Sequence, residues 1–314
     1  LSIVFLGTSE FAAAILERLA RSDAHRPALV LTRPDRPSGR GRKLSSPPVA
    51  ERARALGITL EQPQSVNDPD ARDLIARAGD PQSPSAGVAA RQTVIVCAFG
   101  ALIKEPLLSE HEILNVHPSL LPRWRGAAPV ERAIMAGDVE SGVSIMRLTA
   151  GLDSGPVCLA ATEAIDPQDT YGSLTARLQE LGGELLARAL EEEPPFVEQV
   201  EDGVTYAEKI DSTDRLLDPS KPALELERVV RALHPHIGAR VGLPDGTLLG
   251  VHRAALADAE IATGGGEPAV VARDGRLLLD CTPGVLELLV VQPPGGRAMD
   301  ASAYLRGHGA PGRR

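Results

Sequence analysis

Aromatic residues are scarce, at 3% of 314 residues, so the core must be built mainly from Leu, Val, Ile and Ala. Cysteine is scarcer still. Cys97, Cys158 and Cys281 show neither metal-type spacing nor the even count of a disulfide framework. That usage fits a reducing compartment, and Cys97, inside an apolar run, reads as a small buried hydrophobe. No apolar stretch reaches membrane-spanning length, and no charged-then-apolar leader precedes a small-residue cleavage site. The expected location is the cytoplasm. Positive charge is also in deficit: a net charge of -9 argues against a protein coated with nucleic acid. It leaves room for a local basic site, because screening confines each charge to roughly 10 Å at about 0.1 M salt. The G-x-G-x-x-G of dinucleotide binders is missing too. Gly7-Thr8 reads instead as a tight strand-to-helix turn, which sets a dehydrogenase aside. Ser119 lacks the glycines of a nucleophile elbow, so an acyl-enzyme has no support. His234 and His236 flank a proline without a third ligand nearby, and no metal is expected.

What is present is ordinary for a soluble globular protein, with 43% hydrophobic and 24% charged residues, and the length allows two domains. Apolar runs at Ser2 to Gly7, Ala28 to Thr32, Thr93 to Phe99, Ile113 to His117 and Val143 to Leu148 read as strands. They alternate with helical patterns at Glu10 to Ala20, Pro48 to Leu56, Ala71 to Ala78 and Gly126 to Ala136. The alternation predicts an α/β fold with a Rossmann-like, doubly wound, mostly parallel sheet. A long helix, Ser173 to Glu191, closes this half, expected to span residues 1–193. Residues 194–211 read as a linker. Beyond it, one helix (Leu224 to Leu233) and several short strands punctuated by Gly, Pro and Asp predict a small OB-like β-barrel domain over 212–314. Gly79 to Gln92, rich in Gly, Pro, Ser and Ala, reads as a surface loop.

The most informative segment is Ile113-Leu114-Asn115-Val116-His117-Pro118. Side chains alternate along a strand, so Asn115 and His117 face one side, and Pro118 ends the ladder. A strand–helix–strand crossover to Val143 to Leu148 makes these two strands parallel, with their carboxyl ends on one edge. The loop Ala150 to Pro156 then brings Asp153 to the edge where open α/β sheets bind ligands. Singly, each residue reads as a strand cap or a turn former. Together, an amide, an imidazole and a carboxylate suit acyl transfer to an amine. The amide and an imidazolium stabilise a tetrahedral oxyanion, while the carboxylate supports the cation and moves the amine proton. The stretch Thr32 to Lys43 places five basic residues against one acid, spaced by Pro and Gly. It follows the second strand, so it lies at the same edge and suits phosphate contact. A solvated loop is its bland alternative.

The string Asn115 to Pro129, NVHPSLLPRWRGAAP, with Gly151-Leu152-Asp153-Ser154-Gly155, resembles the folate-dependent formyltransferases. The N-x-H…D pattern belongs to that whole superfamily and speaks for reaction type. The RPDRPSGRGRKL loop, the RWRGAAP form and a C-terminal domain introduced by Thr205 to Ile210 are similar to the branch acting on charged initiator tRNA. The resemblance covers nearly the whole chain. It implies 10-formyltetrahydrofolate as formyl-donor cosubstrate and initiator methionyl-tRNA as acceptor, with no membrane partner, and the chain is expected to act as a monomer. It implies catalytic roles for Asn115, His117 and Asp153, and folate contact by Ser119, Leu120, Leu121 and Pro122. Arg36, Arg40, Arg42 and Lys43 are implied to meet the tRNA, and the OB-like domain to hold its body. The alternative is formyl transfer to a small amine, a glycinamide ribonucleotide or an amino sugar. It uses the same triad but leaves the basic loop and the extra domain unexplained. A non-catalytic folate- or RNA-binding protein ranks last.

Overall fold

Strand β1, Ser2–Gly7, lies inside the larger sheet, and Ile3, Val4, Phe5 and Leu6 are each at most 1% exposed. A parallel strand covered on both faces needs an unbroken apolar run, which this segment supplies. The computed structural model describes residues 2–38, 43–78, 92–258 and 270–311. Residues 79–91, read above as a surface loop, lie outside them. Helix α1, Glu10–Ala20, starts on Ser9, whose hydroxyl accepts from the Ala12 N–H at 3.3 Å and so pairs one of the first turn's free donors. Gly7 is there for close approach. A Cβ on it would stand 2.7 Å from the Phe5 ring and 2.8 Å from the Ala12 Cβ.

The chain continues through β2 (Leu29–Leu31), β3 (Arg36–Ser38), β4 (Lys43–Ser45), α2 (Pro48–Leu56), β5 (Thr59–Glu61) and α3 (Pro69–Ala78). It then forms β6 (Gln92–Cys97), α4 (Leu107–Glu110), β7 (Glu112–His117), β8 (Arg125–Gly126), α5 (Pro129–Ala136), β9 (Glu140–Arg147), β10 (Val157–Ala164) and α6 (Tyr171–Glu192). The sheet order is β10-β9-β7-β6-β1-β2-β5, and every pair from β7 to β5 is parallel. This is the Rossmann-like sheet that the alternating pattern predicts. Cys97 is fully buried in it, and burial pushes its thiol pKa up.

One expectation fails. β9 runs antiparallel to β7, with His117 opposite Ser144 and Leu114 opposite Arg147. The reason lies in α5. It packs with a later helix in the chain's second compact unit, so it imposes no crossover handedness on this sheet. The carboxyl end of β9 therefore stands beside Leu114, not beside His117.

The first compact unit comprises Leu1–Gly126, Ser141–Glu163 and Ala176–Tyr206. The second comprises Ala127–Glu140, Ala164–Thr175 and Ala207–Arg314. After the short strand β11 (Tyr206–Ala207), the second unit contains α7 (Ala223–Leu233), β12 (Ala239–Gly242), β13 (Leu248–Leu256), β14 (Val270–Arg273), β15 (Arg276–Asp280), β16 (Val285–Gln292), β17 (Met299–Asp300) and α8 (Ala301–His308). Its antiparallel sheet, ordered β12-β13-β16-β15-β14 with β17 on β16, is the small OB-like sheet expected. Register shifts in β13 between Val251 and Ala254 increase its twist. Leu226, Val230 and Leu233 of α7 and Tyr304 of α8 meet Val251, Leu277, Leu286 and Leu288 in one apolar core. Within this unit Arg132 grips Asp214 by two bonds of 2.9 and 2.8 Å, which holds the Asp214 carboxyl below the usual carboxylate range. His236 pairs with Glu131 at 2.9 Å and stacks on Tyr171. No helix among the described residues is long and apolar enough to cross a membrane.

Overpacking a tight strand–helix contact typically costs ~1–3 kcal/mol. Gly7→Ala is accordingly expected to lower stability by about that amount, read from the urea midpoint at constant m.

Candidate active site

Asn115 and His117 leave β7 on one face, as their spacing predicts, and both are buried, at 7% and 4% exposure. Among the described residues the Asn115 carboxamide has no hydrogen-bond partner, so its N–H groups are uncommitted. His117 is fixed from two sides. Its Nε2 lies 2.9 Å from the Trp124 carbonyl oxygen. A carbonyl can only accept, so Nε2 carries hydrogen. The other ring nitrogen, Nδ1, faces the Asp153 carboxylate, with Oδ2 at 3.8 Å. That is too long for a direct hydrogen bond, but it lets one polar atom of a bound molecule touch both groups at about 2.8 Å.

Asp153 reaches His117 although β9 points the other way. The loop that follows β9 is closed at its base, where Arg147 N–H donates to Pro156 O at 2.9 Å and Leu148 N–H to Ile113 O at 2.8 Å. It then carries Asp153 back until Oδ2 also accepts from the Gly126 N–H at 2.8 Å. Asp153 is thus brought to His117 by a returning loop rather than by a shared strand edge, and Asn115 lies two residues before His117 on the same face of β7. The backbone at Asp153 and Trp124, which face the two ring nitrogens of His117, has φ of 43° and 63°. Such left-handed conformations cost non-glycine residues roughly 1–3 kcal/mol each and persist only where surrounding contacts impose them.

The Ser119 to Pro122 segment is held from below. Ser119 is 1% exposed, and its hydroxyl donates to Arg123 O at 2.7 Å, so it serves the turn. Ser144 on β9 donates to Ser119 O at 2.8 Å and accepts from Leu121 N–H at 3.1 Å. Gly142 leaves space for Leu120, since a Cβ there would come within 2.5 Å of its Cδ2. Leu120, Leu121 and Pro122 are half-buried.

On either side of residues 39–42, which lie outside the described residues, β3 and β4 pair as an antiparallel ribbon, Arg36 opposite Ser45 and Ser38 opposite Lys43. Arg36 is exposed. Arg40 and Arg42 lie outside the described residues. The one acid of the stretch, Asp35, is committed to the ribbon's base. It accepts from Gln62 at 2.8 Å and Ser46 at 3.0 Å, and these bonds hold its carboxyl below the usual range.

Reading the sequence missed Trp124, Gly126, Ser144 and the two residues Gln199 and Thr205. Trp124 and Gly126 act through backbone atoms, which leave no side-chain signature. Ser144 alternates inside an apolar strand, a signal that could have been read. Removing one partner of buried hydrogen bonds typically costs about 1–3 kcal/mol. Ser144→Ala, which strands Ser119 O and Leu121 N–H, is expected to lose about that much, measured by denaturant unfolding.

The family described as Formyl transferase matches residues 1–190, and Formyl transferase, C-terminal domain, matches residues 209–309. A methionyl-tRNA formyltransferase of Dechloromonas aromatica is 39% identical over 313 residues, covering 98% of this chain and 96% of that one. One of Ruegeria pomeroyi is 38% identical, covering 98% of each. Among solved structures, the N-formyltransferase from Helicobacter canadensis in complex with folinic acid and dTDP-3-aminofucose shares the fold at TM-score 0.62 and 14% identity, covering 92% of this chain and 98% of that one. HypX from Aquifex aeolicus in complex with tetrahydrofolic acid does so at TM-score 0.59 and 17% identity, covering 97% of this chain and 46% of HypX, so this chain spans about half its length. With both regions matched and full-length relatives at this identity, the chain belongs to the formyl transferase family.

Proposed function

We propose that this protein transfers the formyl group of 10-formyltetrahydrofolate to the α-amino group of methionine on initiator methionyl-tRNA, acting as a monomer in the cytoplasm at the start of translation. The observation that carries the reading is the Asp153 carboxylate 3.8 Å from Nδ1 of His117, with the buried Asn115 two residues before that histidine on the same face of β7. The full-length relatives are named for this substrate, and the exposed basic ribbon suits the phosphates of a nucleic-acid acceptor.

In this reading the amine nitrogen attacks the formyl carbon and the carbonyl oxygen becomes negative. The Asn115 amide N–H and His117 Nδ1–H donate to that oxygen. Nε2 is occupied by the Trp124 carbonyl, so Nδ1 is the ring atom left for the reaction. Asp153 takes the proton released by the amine. As the intermediate collapses, the bond between the formyl carbon and N10 of the folate breaks, and N10 receives that proton. The new amide and tetrahydrofolate leave. The three side chains supply donor, cation and base, so the reading needs no metal and no covalent enzyme intermediate. Ser119 to Pro122 form a folate-contacting wall, Arg36, Arg40, Arg42 and Lys43 meet the acceptor end of the tRNA, and residues 212–314 hold its body.

Acid-gel analysis of charged initiator tRNA with the formyl donor tests the reaction. Formylmethionyl-tRNA is the expected product; a folded preparation that forms none refutes the proposal. A preference for an amino sugar or glycinamide ribonucleotide in competition favours the small-amine reaction instead. Loss of one oxyanion donor typically costs about 100- to 1000-fold in turnover. Asn115→Ala is expected to show this fall, with a much smaller change in tRNA affinity measured by filter binding. The double change Arg40→Ala and Arg42→Ala is expected to weaken tRNA use and reduce the slope of log K against log salt by about 1.5. An unchanged slope would identify the ribbon as a solvated one.

A further inference from the structure

The segment after α6 carries more than a connection. Val197 pairs with Val157 through two backbone bonds of 2.9 Å, which lays the segment along β10. Val197, Glu198 and Val200 are exposed there, whereas Gln199 turns inward. Its Nε2 donates to Asp153 O at 2.8 Å and to Gly155 O at 2.7 Å, and its Oε1 accepts from Arg125 Nε at 3.0 Å. Two carbonyls and one guanidinium around a single group demand two donors and an acceptor together, which only a carboxamide offers. Six residues on, Thr205 does the same for the other wall. Its hydroxyl oxygen accepts from Trp124 N–H at 2.9 Å, and its carbonyl accepts from Arg125 N–H at 2.9 Å.

Asp153 and Trp124 present the polar atoms that face the two ring nitrogens of His117, and both have left-handed backbones. Each is bonded directly to this strap. We infer that Gln199 and Thr205 are positioning residues of the reaction. Gln199 sets the Asp153 carboxylate against Nδ1 of His117, and Thr205 sets the Trp124 carbonyl that keeps hydrogen on Nε2. Neither side chain touches the reacting atoms; both act through the geometry of the triad.

The inference rests on the proposed formyl transfer, so its test includes one readout that needs no turnover. Gln199→Glu keeps the shape but turns an acceptor toward two carbonyl oxygens. Thr205→Val removes the hydroxyl, and Thr205→Ser keeps it. Each variant is first shown to unfold cooperatively in urea, and steady-state formylation and His117 imidazole nitrogen NMR follow. Misplacement of a catalytic group by about 1 Å can cost on the order of 100-fold. Gln199→Glu and Thr205→Val are expected to lower kcat by up to about 100-fold with KM for both substrates nearly unchanged, while Thr205→Ser returns the rate towards wild type. The imidazole spectrum is expected to show a hydrogen-bonded hydrogen on Nε2 in the wild type and the loss of that bond in Thr205→Val. Folded variants with wild-type kcat and an unaltered His117 spectrum overturn the inference, as does an effect confined to KM. A wild-type protein that makes no product, while its His117 spectrum still responds to Thr205→Val, overturns the reaction but supports the strap.

Discussion

The hydrogen bond from His117 Nε2 to the Trp124 carbonyl decides which face of the imidazole is available, and other features of the site are arranged around it. With that nitrogen occupied, Nδ1 is left facing Asp153 across a gap suited to one polar atom. The carbonyl is aimed by an unfavourable Trp124 backbone, and Asp153 is aimed by a second. Two strained residues on either side of one ring require firm support. That support comes from Gly126 N–H, from the closed base of the β9–β10 loop and from the chain after α6.

A formyl carbonyl offers little surface to hold. What distinguishes its transition state from its ground state is charge on oxygen, so fixed donors matter more than pocket volume. In the proposed reaction it is the arrangement around β7 that would supply those donors. Asn115 and His117 sit on a strand in the sheet interior, where Asn115 is paired on both sides, to Val96 of β6 and Met146 of β9, and His117 to Ser144 of β9. Rigid elements of this kind hold reacting groups more accurately than loops, and here the loop-borne member, Asp153, is tied down by its own side chain as well as its backbone.

Much of the fold is legible in the chain because its central strands are continuous apolar runs. β1, β6 and β7 are found within a residue or two of where the pattern puts them, and α1 and α2 at the same ends. The edge strands were not. β5 alternates between exposed and half-buried residues over three positions, and β10 is half exposed along its length, so neither shows the hydrophobic run that marks a covered strand. The direction of β9 was illegible for a different reason. Whether an intervening helix crosses a sheet depends on what that helix packs against, and α5 packs with α7, nearly a hundred residues later. Asn115 and His117 could be placed on one face because strand side chains alternate, whereas the approach of Asp153 to His117 could not be derived from strand direction, since β9 runs antiparallel to β7. The backbone groups that orient them carry no side-chain mark, and Gln199 sits in a stretch whose composition reads as a spacer.

Matches to two successive families suggest a pair of modules joined end to end, but the second compact unit is stitched from three separate stretches of chain. Arg132 and Glu131, from the first of them, are clasped by Asp214 and His236 from the last, and the Asp169 carbonyl, from the middle one, accepts from Arg231 at 2.8 Å. A protease nick or a stop codon near residue 200 would therefore not release an intact amino-terminal half. It would leave α5 and the start of α6 bereft of their charge partners and their apolar cover. The earlier stretches of the second unit are made long before their partners, and they wait for the ribosome to deliver the last one.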